Sequence, residues 1–191
     1  MLQSRKIHVK IEGMEPGYMQ SRVDPHDLIR AEKKKTGNKS ADPRNIEEET
    51  QHKLFLNKEK IPCIPYEHLY SGLINAAKDF RIGGKGAKSY REVFASSVKV
   101  EPALIPINPP TWETDLRVAN NFKAGRIAVA RPKFPGGWTA EFDIIVEDEQ
   151  ITDETVKQVL EHCGSNKGIG SFRPTQGGPF GRFITREFNT I

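Results

Sequence analysis

Arg126-Ile-Ala-Val-Ala-Arg-Pro-Lys-Phe134, Pro135-Gly-Gly137 and Trp138-Thr-Ala-Glu-Phe-Asp-Ile-Ile-Val146 decide the fold. In the first piece Ile127 and Val129 alternate with Ala128 and Ala130. In the last, Trp138, Ala140, Phe142 and Ile144 alternate with Thr139, Glu141 and Asp143. A period of two marks half-buried strands, and the Pro-Gly-Gly between them reads as the turn of a β-hairpin. Just downstream, Thr152 is a candidate N-cap, and Asp153 and Glu154 stand where the helix dipole favours anions. Val156, Val159 and Leu160 then give an apolar stripe that runs up to Gly164.

Working outward, Ile7, Val9 and Ile11 alternate with His8, Lys10 and Glu12 in a first strand over Lys6 to Met14. Tyr66 to Phe80 carries Leu69, Leu73, Ala76, Ala77 and Phe80 at helical spacing behind Pro65. Gly181 to Phe188 supplies a terminal strand. The order strand, helix, strand, strand, helix, strand predicts an α+β fold with a ferredoxin-like (RRM-like) βαββαβ antiparallel sheet. The free face of such a sheet would be a platform for single-stranded nucleic acid. Residues 15–60, polar and broken by Pro16, Pro25, Gly37 and Pro43, read as a long flexible arm in which 27–35 predicts a short helix. Residues 81–123 read as a second insertion. All 191 residues are taken as one domain.

No stretch is apolar enough to span a bilayer and Met1 is not followed by an apolar signal core, which implies a cytoplasmic protein. Cys63 and Cys163 lack the spacing of a zinc site, so no cofactor or metal is expected. The net charge is only +4, but its distribution is uneven. Residues 81–91 (Arg81, Lys85, Lys88, Arg91), 117–140 (Arg117, Lys123, Arg126, Arg131, Lys133) and 163–186 (Lys167, Arg173, Arg182, Arg186) contain no acid. Residues 141–154 contain seven acids and no base. Each run alone reads as a solvated loop; three together predict a phosphate-attracting face, provided they converge.

Between the second helix and the last strand lies Gly164-Ser-Asn-Lys-Gly168-Ile-Gly170-Ser-Phe-Arg173-Pro-Thr-Gln-Gly177-Gly178-Pro-Phe-Gly181-Arg182-Phe183. Glycines allow close backbone approach and arginines bind phosphate bidentately, so the loop predicts a sugar-phosphate cradle, the alternative being a plain flexible linker. It contains no Walker sequence, and nucleotide hydrolysis is not supported. The expected nucleic-acid-binding set is therefore Lys85, Lys88, Arg91, Lys123, Arg126, Arg131, Lys133, Lys167, Gly168, Gly170, Arg173, Gly177, Gly178 and Arg182.

This glycine-rich loop, together with Ile64-Pro65 leading into Gly72-Leu73 and Ala76-Ala77, resembles the RAMP superfamily, and within it the backbone subunits of CRISPR RNA-guided effector complexes. Ser71 stands where that family often has lysine, and the chain is short for such a subunit. The resemblance implies a guide-RNA-binding subunit that polymerises along the strand, with 15–60 acting as a thumb. Its partners would be single-stranded RNA, or single-stranded DNA, and further subunits of a homo-oligomer or multi-protein complex.

Two other readings compete. Relatives that process guide RNA use a histidine, and His26 is the candidate for a metal-independent endoribonuclease; a solvated loop histidine is the simpler reading. Asp24 or Asp27 would be the candidate metal-associated aspartate, set against a helix-capping role for Asp27. The other alternative is an interaction or inhibitor protein that imitates an effector subunit. Among the aromatics, Trp138 predicts burial, while Phe172 and Phe180 inside the glycine loop are open to stacking on bases.

Overall fold

The computed structural model describes residues 4–23, 45–121 and 125–191, with the backbone alone at 119–121 and 125–127. A central sheet holds β1 (Arg5–Gly13), β4 (Val98–Glu101), β8 (Thr139–Val146) and β9 (Phe183–Thr190) in the order β4-β8-β1-β9. Every neighbouring pair is antiparallel. One face is apolar: Ile7, Val9, Ile11, Val98, Val100, Ala140, Phe142, Ile144 and Val146 are buried. Helices α2 (Tyr66–Ala77) and α4 (Asp153–His162) share that core through Leu69, Leu73, Ala76, Val156, Val159 and Leu160. Thr152 caps α4, its Oγ1 accepting from Thr155 N–H at 3.1 Å, as the alternation and capping signals require.

The opposite face is not a stacking platform. Lys6 pairs with Asp143 at 2.8 Å, Lys10 with Glu141 at 2.8 Å, and Arg186 with Glu12 at 2.7 Å. His8 Nδ1 lies 2.9 Å from Asp143. Opposite charges directly across (Lys10–Glu141) or diagonal (Lys6–Asp143, Arg186–Glu12) on antiparallel strands neutralise one another there, which corrects the expectation of a nucleic-acid-binding sheet face.

The hairpin expected over 126–146 is also corrected. Both strands exist, but they do not pair with each other. β7 (Gly125–Phe134) pairs with β6 (Glu113–Asn121) and with β2 (Tyr18–Met19), forming a second sheet ordered β2-β7-β6. β8 pairs with β1 and β4. The ladder β1/β8 turns a corner into β2/β7, with 14–17 and 135–138 forming the bend and Gly137 N–H donating to Gly13 C=O at 2.7 Å. Gly13 lies flat under the Trp138 indole, where any Cβ would overlap the ring. A turn signal fixes where the chain bends, not which strand it returns to. The second strand of the central sheet is β4, inside the stretch read as an insertion; four residues with two inward valines are too short to compete with β7 as a signal.

The expected arm is partly core. Tyr18, Met19, Gln20, Thr50 and Leu54 are buried, and α1 (Ile46–His52) lies against β7, where Lys53 Nζ donates to Ala130 C=O at 2.6 Å. The helix expected over 27–35 lies outside the described residues. β3 (Cys63–Pro65) and β5 (Leu104–Pro106) form a two-stranded sheet, and α3 (Arg91–Ser97) leads into β4. No helix among the described residues is long and apolar enough to cross a membrane.

Candidate nucleic-acid interface

β6 and β7 form the actual hairpin. Their register sets Glu113 opposite Lys133, Asp115 opposite Arg131 and Arg117 opposite Val129, so the period of two puts these charged side chains on one face. Asp115 is held by Arg117, whose Nε and Nη2 donate to its two oxygens at 2.6 and 3.0 Å. Arg131 is left over: its Nε and Nη1 are buried with no hydrogen-bond partner among the described residues. Burial pushes its pKa down, opposed by the charge of Asp115 and reinforced by that of Arg117. Two guanidinium groups against one carboxylate leave a net positive charge, with the Arg131 donors unsatisfied.

The glycine-rich loop is laid against this sheet. Ser171 N–H donates to Met19 C=O at 3.0 Å and Gly181 N–H to Gly17 C=O at 2.8 Å. Gly170, at φ 73°, meets Met19 C=O and the Tyr18 ring so closely that a Cβ has no room. The docking places the Arg131 guanidinium carbon 5.4 Å from the centre of the Phe172 ring, and that of Arg117 4.6 Å from the Phe180 ring, within cation–π range. Arg173 turns back into the loop, donating to Gly170 C=O at 2.8 Å and Thr175 Oγ1 at 2.9 Å.

The backbone cradle expected of this loop is not built. The amides of Gly168, Gly177 and Gly178 donate to Cys163, Pro174 and Arg173 carbonyls at 2.7, 3.0 and 3.1 Å, so they point inward. The loop presents side chains.

Two of the three basic runs therefore meet where the loop docks, Arg117 and Arg131 of one lying against Phe180 and Phe172 of the other, while Arg173 is bonded within the loop. Other cations of those runs are engaged elsewhere: Lys133 by Glu113, Lys167 by Asp79 at 2.6 Å, and Arg182 by Ser165 C=O. Lys123 lies outside the described residues, and Arg126 is placed by its backbone only, near the end of the β6/β7 ladder. The run 81–91 folds elsewhere. Lys85 bonds to Gln150, and Lys85, Lys88 and Arg91 line a separate cleft of about 400 Å³. Asp24, His26 and Asp27 lie outside the described residues.

Beneath the loop a part-buried polar pair ties the interface to α2. Tyr18 Oη and His68 Nδ1 share a hydrogen bond of 2.7 Å, and the Phe55 ring packs edge-on against His68 at 5.6 Å. Burial, with the nearby Arg173 charge, pushes His68 down to about 4. Burial also raises Tyr18. Between pH 6.5 and about 4 the unfolded chain binds a proton at residue 68 that the folded chain refuses. Stability therefore rises with pH through that window and is lost toward its acid end, by roughly 3 kcal/mol. Urea midpoints at pH 7 and 4.5 should show this dependence in the parent protein and a flatter one in His68→Gln; equal slopes would contradict it.

No family model and no curated protein matches the sequence. The fold has a solved counterpart. It is similar to a chain of the Type III-B Cmr-beta complex, determined by cryo-electron microscopy bound to cognate target RNA, with a TM-score of 0.54 and 15% identity. The match covers 100% of this chain and 61% of that one, so this chain spans about three-fifths of its counterpart's length. At that identity the likeness is one of fold.

Two residues of the interface were missed by sequence reasoning as site members, Asp115 and Arg117. Asp115 stands just outside the acid-free run that begins at 117, so counting charges in runs hid a carboxylate that pairs with it. The odd-numbered alternation Glu113, Asp115, Arg117 was the available signal. Phe180, open to stacking by sequence, is 1% exposed and covered by Arg117; Phe172 remains half-buried at the surface. Trp138 is buried, as its strand phase implies.

Proposed function

We propose that this chain is a non-catalytic subunit that grips the sugar-phosphate backbone of single-stranded RNA. On this reading it is a divergent RAMP relative with a ferredoxin-like core, working in the cytoplasm inside a CRISPR-type ribonucleoprotein of several subunits. The observation that carries the reading is the cluster at the β6–β7 face. Arg131 lies there against the Phe172 ring and Arg117 against the Phe180 ring, and Arg131 Nε and Nη1 lack an acceptor among the described residues. A phosphate is the acceptor that suits the guanidinium nitrogens left at the surface, and a backbone-directed grip is independent of sequence. The fold likeness to a chain of an RNA-bound Cmr-beta complex supports the same class of partner.

The charge basis gives the test. In a fluorescence-anisotropy titration with single-stranded RNA of arbitrary sequence, affinity should fall with rising salt. The log-log slope should be about 0.7 for each phosphate neutralised, or about 2 if three arginines engage. Affinity that is constant between low and high salt overturns the proposal. Equal affinity for single-stranded RNA and DNA would restrict it to the phosphates alone.

A further inference from the structure

Phe172 combines three properties that a purely structural phenylalanine does not. Its backbone lies in the left-handed region at φ 57°, a conformation it shares, among the described non-glycine residues, only with Lys60. A bulky side chain there is strained. The strain is imposed from both sides: Phe172 N–H donates to Gln176 Oε1 at 3.1 Å and its carbonyl accepts from Phe180 N–H at 3.1 Å. Gly178 lies so close to that carbonyl and to the ring edge that no side chain fits. Yet the ring belongs neither to the hydrophobic core nor to the layer packed on it, so burial does not offset the strain. What the conformation achieves is placement. It sets the ring over the Arg131 guanidinium, next in sequence to Arg173 and beside the Arg117–Asp115 pair.

From this we infer that Phe172 is a base-stacking residue and that its ring and neighbouring arginines form a subsite for one nucleotide, a reading that rests on the RNA-binding function proposed above. One ring face meets Arg131; a flat nucleobase stacks on the ring, and the adjoining phosphate reaches Arg117 and Arg173. Each of these arginines keeps one terminal nitrogen without a hydrogen bond among the described residues, Nη1 of Arg117 and Nη2 of Arg173. Stacking accepts any base, so the subsite adds affinity without sequence preference. The strained loop is then retained for the ligand it presents and not for stability.

Phe172→Gly separates the two roles, because glycine adopts the native φ without strain. The urea midpoint of this variant should equal or exceed that of the parent, while affinity for single-stranded RNA falls roughly 5- to 150-fold. Competition by inorganic polyphosphate, which has no base, should be the same for both proteins. Unchanged RNA affinity in Phe172→Gly, with salt-dependent binding by the parent, overturns the subsite and leaves the RNA reading standing. Absence of parent binding overturns both. If Phe172→Gly is destabilised, Phe172→Trp decides: its added emission should be quenched by RNA and not by polyphosphate, and equal response to the two sinks the inference.

Discussion

Gly181→Ala is expected to lower stability by about 2 to 4 kcal/mol, the sum of forced backbone movement and a left-handed conformation that alanine adopts poorly. Gly181 has φ 77°, and a Cβ there would overlap the carbonyl oxygen of Ile169, a backbone atom that cannot swing aside as a side chain can. The same residue closes the loop onto the rest of the molecule. Its carbonyl accepts from Ile169 N–H at 2.9 Å and its own N–H donates to Gly17 C=O at 2.8 Å. Displacing it strips two backbone hydrogen bonds from a position flanked by buried Phe180 and near buried Phe183. Urea denaturation should show a lower midpoint with little change in the slope of the transition, because the surface exposed on unfolding is nearly the same. Gly177→Ala is the control. It has the same φ of 77° but nothing within reach of its Cβ, so only the conformational part, about 1 kcal/mol, should be lost. Equal effects at the two positions would mean that the docking of the loop contributes nothing.

The glycines of 164–181 were legible as a special loop, because composition reports conformational freedom. What the freedom was used for was not legible: Gly170 and Gly181 bring the loop onto β2, through Met19 and Gly17, more than 150 residues upstream. No local pattern encodes a partner that distant. The same asymmetry explains the strands. Period-two alternation located β1, β7, β8 and β9 to within a residue or two, since it depends only on one face being buried. Pairing depends on the whole chain, so β7 was assigned to the wrong neighbour, and β4, with only Val98 and Val100 to announce it, was missed. Charge was legible as runs of residues and not as a surface. Asp79 and Glu113 neutralise Lys167 and Lys133 from positions outside the runs themselves.

Arg131→Met combined with Arg117→Met should weaken RNA binding about 100-fold, and Arg131→Met alone should leave the fold at least as stable. Each guanidinium lost removes a charge-assisted contact, about tenfold in affinity for each. The salt slope should fall by about 1.4, the contribution of two phosphates on a single strand. The stability effect has the opposite sign. Arg131 buries Nε and Nη1 without acceptors, and an unsatisfied buried donor costs about 1 to 3 kcal/mol, so the methionine single variant, which keeps the aliphatic stem, should melt at or above the parent. Lys167→Ala provides the contrast. Its ammonium is committed to Asp79, so its loss should change affinity by no more than about threefold, the scale of a partly exposed ion pair. If Lys167 mattered as much as Arg131, the basic runs would be acting as a diffuse field. If the arginine variants bound normally, the cluster would be a packing feature. Weaker binding together with undiminished stability is the signature expected of residues held in place for a ligand.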